Sequence, residues 1–596
     1  MNVLIGSMGP RKKDEIDLVI GEVKDFSFVS YDDVTNLSLY VETEGSAALK
    51  SSLYDSEWNL IRENTTDIDS KEQGFVQLFK DLEIQGGRSV FLLRLEKISG
   101  DGNVRVISRN GGTSIYAYGG FPFAAFLYGA TSLLLFLVGA GVFICLYKRL
   151  SYEKVFLAIA IPMVILFSVL LYPGTACDEN DHYVEAYKLS NKILSVDTNL
   201  IREEDLSIVS NRWAVPTIEG AYLAINQIGH RTENTTLVLN EHSGHAGNAI
   251  VYLLPAVGIT VSRILNLNAF TTYYAARGLN ILFYLASGYL SLSICSYGQG
   301  ILLGFLLLPL TINQCISVNQ DNFCFCISFL AIAFWTHLKK KELEDEKVTV
   351  LEAVCLLLIS LMLLASKAYA IILGMYIVLV IPKVKALRDR RKDIFLIMSI
   401  LVCAVCVALL LGKSGYTHYL FTALFGEANG GRYSLKFYLD DPLTGWQIFV
   451  ATIKQQWFQW FWDAFGSKLS WQTYFTPIYA VCFAVILVLL ARSESGEIVG
   501  SSSLERIAII VIELAFFALV YLRASTWTEV GRRTIWGIQG RYFIPVLPLV
   551  LYGLVGKSKS ALQKKWQWAL CAMFVILLIT VSMDLLCTKI LVYLVE

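Results

Sequence analysis

The chain has 596 residues, of which 55% are hydrophobic, 13% aromatic and only 17% charged. That is more apolar surface than a soluble protein of ordinary composition carries, and the chain reads as a multispan membrane protein. Lys+Arg and Asp+Glu are equal at 50 each, so no overall field recruits nucleic acid, and most of the 12 cysteines, such as Cys324, Cys326, Cys403 and Cys406, lie in apolar runs and suggest no disulfide or zinc framework.

The first 115 or so residues carry strand chemistry. Leu37, Leu39 and Val41 alternate with Ser38, Tyr40 and Glu42, and the runs SVFLLRLEKI and NVRVIS are parted by Gly-Asp-Gly. The expectation is an extracytoplasmic β-sandwich over residues 1–117, serving either to bind sugar or to cap the membrane domain. Nothing before Asp17 resembles a signal peptide. Either the first span translocates the domain in the reverse sense or an upstream helix precedes this chain; the second is the expectation.

The remaining residues, 118–596, are expected to form a helical membrane domain of about twelve spans: 119–147, 154–173, 271–293, 299–316, 322–338, 349–366, 368–383, 393–412, 473–491, 505–522, 541–556 and 567–589. Lys148 and Arg149, Lys339 to Lys341, the set from Lys383 to Lys392, and Lys557, Lys559, Lys564 and Lys565 then share one side, which is the cytoplasmic one. The apolar run Asn248 to Asn268 would break this count as a span. It is read as an interfacial helix, kept at the surface by Arg263 and interrupted near Pro255. Two long outer loops follow, about 174–270 and 412–472.

The first loop opens with GTACDENDHYVEAYKLS, which puts Asp178, Glu179, Asp181 and His182 within five residues directly after a span. An unpaired carboxylate is costly in hydrocarbon, so this cluster must meet water or a polar ligand. Later come NQDNF with Asp321, ASKAYA with Lys367, and WGIQGRYFIPVLP with Gln539, Arg541 and Tyr542.

A span followed by Asp-Glu-x-x-His-Tyr, a long outer loop with a proline-bearing interfacial helix, and a next span starting near Arg277 together resemble the GT-C class of membrane glycosyltransferases. That class includes protein O-mannosyltransferases and the aminoarabinose transferases of lipid A. The late QGRYF motif, NQDNF and the leading β-domain further resemble an uncharacterised bacterial multispan family placed in that class. The resemblance implies an integral enzyme of the bacterial plasma membrane with its site on the extracytoplasmic face. It would move a sugar from a polyprenyl-phosphate donor to a cell-surface glycan or glycolipid, with inversion.

Such transfer needs a carboxylate to take the acceptor proton and cations to stabilise the departing phosphate. Asp178 matches the catalytic position of the class, with Glu179 beside it as the other carboxylate. His182, Arg277, Asp321, Lys367, Gln539, Arg541 and Tyr542 are the expected substrate-binding residues, with Arg532 or Arg533 as further cations. Each has a plainer reading: Asp178 and Glu179 could cap the following helix, Lys367 could snorkel, and Arg541 could anchor at the interface. His242 and His245 in EHSGH leave a divalent metal open, although solvated histidines are the simpler reading. Trp457, Trp460 and Trp462 suit an aromatic belt, sugar stacking or a guide for the polyprenyl tail. The rival functions are a transporter or flippase, and a polymerase or ligase, of lipid-linked saccharides. A non-enzymatic scaffold whose β-domain binds glycan is a third.

Overall fold

The computed structural model describes residues 2–5, 13–30, 34, 36–68, 73–82, 89–100, 103–109, 112–113, 115–118, 123–148, 150–210, 216–232, 234–240, 248–380, 431–470, 473–493, 502–555 and 561–590. The predicted span 393–412, the basic set Lys383 to Lys392, Lys557 and Lys559, Arg149, and His242 and His245 lie outside these. The chain divides into two compact units: Met1–Leu133 with Ala214–Asn226 and Met583–Glu596, and Leu134–Trp213 with Gln227–Ser582.

The first unit is built on β1 (Asn2–Ile5), β2 (Lys13–Leu18), β3 (Val23–Ser30), β4 (Asn36–Glu44), β5 (Ala47–Tyr54), β6 (Leu60–Ile68), β7 (Gln73–Phe79), β8 (Ser89–Ser99), β9 (Asn103–Arg109), β10 (Gly112–Thr113) and β11 (Ile115–Tyr118). One sheet runs β1-β11-β4-β9-β10, with β2 on β9 and β7 on β4; the other runs β3-β8-β5-β6. The alternation at Leu37, Leu39 and Val41 turns these three inward, where they share one core with Leu49, Leu53, Leu93, Leu95, Val104 and Val106 from both sheets. Gly100, at the end of β8, has φ +99°, and a Cβ there would lie 2.2 Å from the Ser46 carbonyl oxygen, so only glycine fits.

The helices are α1 (Phe123–Tyr147), α2 (Tyr152–Leu170), α3 (Glu179–Ile193), α4 (Glu203–Val209), α5 (Ile218–Asn226), α6 (Leu253–Ile264), α7 (Ala269–Ile294), α8 (Gln299–Leu306), α9 (Pro309–Ile316), α10 (Gln320–Leu343), α11 (Val350–Ala365) and α12 (Gly374–Val380). Beyond these are Leu435–Asp440, Pro442–Ala464, Ile478–Ser493, Ser503–Ser525, Leu547–Leu554 and Ala561–Asp584. Among the described residues, 5 helices are long and apolar enough to cross a membrane, or 6 if the bent pair α8 and α9 counts as one.

Several predicted spans differ in form. The run 299–316 breaks after Leu306 and turns by 61°, because Pro309 has no N–H to continue a helix and instead starts α9. The run 349–366 becomes α11, and 473–491 becomes Ile478–Ser493, each of 16 residues. The run 541–556 is a 3-10 turn, Gly540–Phe543, followed by a helix of only 8 residues.

Asn248 caps a 3-10 turn, Ala249–Tyr252, that runs straight into α6. Pro255 therefore sits in the first turn of α6, where its missing N–H costs nothing, and does not interrupt the helix. Arg263 reaches Ser190 Oγ at 3.0 Å and Asn191 Oδ1 at 2.7 Å, with its guanidinium over the Tyr187 ring, so it ties α6 to α3.

The helical unit has two chemically distinct ends. Asp321 opens α10, and Lys339, near its other end, pairs with Glu505 at the start of Ser503–Ser525. The 18 helical steps from Asp321 to Lys339 rise about 27 Å at 1.5 Å each, close to the thickness of bilayer hydrocarbon. The acidic cluster and Lys339 to Lys341 thus occupy opposite ends.

Candidate active site

Tyr172 and Gly174 lead from α2 to Asp178, which holds the position before α3 in the left-handed region at φ +61°. A residue placed there as a helix cap would bond the first N–H groups of α3, yet the Asp178 side chain makes no such bond. Its carboxylate, 17% exposed, pairs instead with Arg541 Nη2. An aspartate in αL geometry, held by a partner 363 positions away, is placed by the tertiary fold and not by helix propensity.

Glu179, the next residue, faces inward and is fully buried. Its two oxygens accept Arg277 Nε at 2.7 Å and Nη2 at 2.6 Å, together with the Gly174 N–H at 3.0 Å and the Val318 N–H at 2.9 Å. Arg277 also donates to the carbonyls of Leu171 and Tyr172. All the acceptor positions of this carboxylate are thus engaged, and the pair locks the end of α2 to α7 and to the turn after α9.

Asp321, 1% exposed, follows the cap of α10, Asn319. It takes Lys367 Nζ at 2.9 Å on Oδ1, and Arg541 Nε lies 3.2 Å from Oδ2. The Nε ion pair lacks hydrogen-bond geometry, leaving that buried N–H without an acceptor among the described residues; Gln314 Nε2 is in the same condition. Gln314 Oε1 lies 3.4 Å from Arg541 Nη1 and 2.7 Å from Asn319 Nδ2. Lys367 stands 5.2 Å from the Tyr542 ring centroid and Arg541 5.6 Å from it. Burial alone would lower the Lys367 pKa, but the Asp321 carboxylate outweighs it and raises the value, so the ammonium form persists.

Arg541 reaches this place because Gly540 lets two backbones touch. A Cβ on Gly540 would lie 2.1 Å from the Trp460 carbonyl oxygen and 2.6 Å from Ala464 N, so the helix Pro442–Ala464 can pack against the turn only if position 540 is glycine. On the other flank, Lys367, Tyr369 and Tyr542 join Phe516, Arg523 and Trp527 around a small cavity that is open to the outside.

The remaining predicted residues fall at varying distance from this centre. His182 is buried with Nδ1 2.7 Å from the Tyr252 hydroxyl of the predicted interfacial segment. Gln539 is half-buried and carries the start of the 3-10 turn. Arg532 and Arg533 are exposed, and Arg532 pairs with Glu529 at 3.8 Å, away from the cluster. Trp460 is buried against Phe517 and Phe543, whereas Trp457 is exposed.

Sequence reading missed Gln314, Asn319 and the Cys177 carbonyl, which accepts Arg541 Nη1 at 3.2 Å. The polar residues Thr311, Asn313 and Gln314 inside an apolar run were the available signal for Gln314, and Asn319 opens the NQDNF motif, in which only Asp321 was singled out. Among the described residues no three His, Cys, Asp or Glu side chains gather to hold a metal.

No curated protein matches the chain. The family described as Predicted membrane protein (DUF2142) matches residues 161–550, more than half of the chain and the whole stretch from Asp178 to Tyr542. The chain belongs to this family of predicted membrane proteins.

Proposed function

We propose that the cluster transfers a sugar from a polyprenyl-phosphate donor to the hydroxyl of a cell-surface glycan or glycolipid, on the extracytoplasmic face of a bacterial plasma membrane. The observation that carries this reading is the convergence of Asp178, Asp321, Lys367 and Arg541, from four distant segments, on one set of ion pairs beside an aromatic-lined cavity. Two buried donors there, Arg541 Nε and Gln314 Nε2, want acceptors of the kind a phosphate or sugar hydroxyl provides. The placement of Lys339 to Lys341 at the opposite end supports the outward-facing assignment.

In this reading Lys367 and Arg541 hold the donor phosphate. The phosphate competes with Asp178 for Arg541, which frees the carboxylate to accept a proton from the acceptor hydroxyl. The acceptor oxygen then attacks the anomeric carbon from the face opposite the phosphate, and the carbon–oxygen bond to phosphate breaks with its electron pair on the phosphate, where the two cations stabilise it. Glu179 acts on this chemistry by holding the backbone beneath Asp178.

A transporter or flippase for lipid-linked saccharides is the second reading, favoured by the broken pair α8 and α9. Native mass spectrometry of the full chain in nanodiscs containing a long-chain polyprenyl phosphate tests the donor site. Retention of the lipid by the wild type and its loss in Arg541→Met is expected; equal retention by both moves the phosphate elsewhere.

A further inference from the structure

Asp463, in the last turn of the helix Pro442–Ala464, is 7% exposed. Among the described residues its carboxylate meets no hydrogen-bond donor and no ion-pair partner, and burial pushes its pKa up to about 6 against the pull of Lys468 and Arg541. It is nevertheless built into the site. The position a Cβ of Gly540 would take lies 2.7 Å from Asp463 Cβ, so the two backbones touch one residue before Arg541. Charged and titratable groups near it are Lys468 on the loop after its own helix, Arg541 from the 3-10 turn, and Cys177 on the segment before α3. The Cys177 thiol is held up at about 11 by burial and does not titrate near neutrality.

We propose that Asp463 is the acid of this site: it keeps its proton when the donor binds and passes it to the phosphate oxygen that leaves with the lipid. An ionised Asp463 would repel the donor phosphate drawn to Arg541, whereas a protonated one donates a hydrogen bond to it. As the anomeric carbon–oxygen bond breaks, its electron pair stays on the phosphate oxygen, which takes the Asp463 proton; the acceptor hydroxyl proton goes to Asp178. Solvent then returns a proton to Asp463 and removes one from Asp178. A phosphate monoester has its second pKa near 6, so an acid of similar strength can give up its proton in either direction. This role rests on the donor reading above.

The test is binding of farnesyl methyl phosphate, an isoprenyl phosphodiester whose single charge is constant between pH 5 and 8, to the full chain in nanodiscs. Wild-type affinity should fall by about tenfold or more from pH 6 to pH 8, since the binding form of a group with a pKa near 6 is lost over that range. Asp463→Asn, whose amide can still donate, should hold its pH 6 affinity throughout. A flat wild-type profile, or the same fall in Asp463→Asn, overturns the acid role while leaving the donor site in place. A fall abolished by His182→Gln and not by Asp463→Asn overturns it too. Wild-type protein that binds no isoprenyl phosphate at any pH overturns the donor reading and the acid role with it.

Discussion

Replacing Arg277 by Met tests whether Glu179 is a structural anchor. The change removes both charged contacts to Glu179 and the bonds to the Leu171 and Tyr172 carbonyls. It leaves a fully buried carboxylate with only the Gly174 and Val318 amides as donors. Breaking a buried pair on one side costs about 3–5 kcal/mol, because the surviving charge stays desolvated. Arg277→Met and Glu179→Gln should each destabilise by that amount. The double variant should lose less than the sum of the two by about 2 kcal/mol, since no orphaned charge remains in it. Unfolding in detergent, followed by intrinsic fluorescence across the full double-mutant cycle, measures these terms. Costs below about 1 kcal/mol for either single variant, or additivity within about 0.5 kcal/mol, would refute the anchor argument.

Arg541→Lys should weaken retention of polyprenyl phosphate by about 30-fold or more, because an ammonium cannot span Asp178 and Asp321 as the guanidinium fork does; native mass spectrometry reads this. Gly540→Ala drives a methyl into the backbone at Trp460 and Ala464 and should cost about 1–3 kcal/mol or more, seen as a lowered unfolding midpoint. Asp463→Asn should change stability in a pH-dependent way. Burial raises the folded pKa of Asp463 to about 6, so its contribution is full below the unfolded pKa and is lost as pH rises through 6. Relative to wild type the variant should therefore gain up to about 3 kcal/mol above pH 6 and nothing at pH 4; thermal scans at pH 4, 6 and 8 check the sign.

How much of this was legible in the sequence depended on the range of the forces involved. The period-2 alternation at Leu37, Leu39 and Val41 reports a local requirement, one apolar face per strand, and it located the sheet core. Apolar length found the long helices but could not see that Pro309 starts a new one, or that the segment after Arg541 is a turn and a short helix. Charges at span ends marked Asp178, Asp321, Lys367 and Arg541, since a charge there needs a partner. Which partner each takes was not legible, because pairing spans up to 363 positions and is settled by helix packing. Asp178 and Glu179 show the limit most clearly: adjacent in the sequence, they face opposite ways, one to Arg541 and the other to Arg277. Asp463 sat unmarked within an aromatic run, since its burial comes from the close approach that Gly540 permits.

The central claim is that Asp178 takes a proton while a sugar leaves a lipid phosphate. The most direct measurement reconstitutes the full chain in liposomes with a polyprenyl phosphate carrying a radiolabelled sugar and a glycolipid acceptor extract, then follows the label. Wild-type protein should move label from lipid to acceptor, and Asp178→Asn should slow this by about 100-fold or more while still retaining the donor. Transfer at a near-normal rate by Asp178→Asn would contradict the account. So would label that crosses the bilayer still attached to its lipid, which is the behaviour of a flippase.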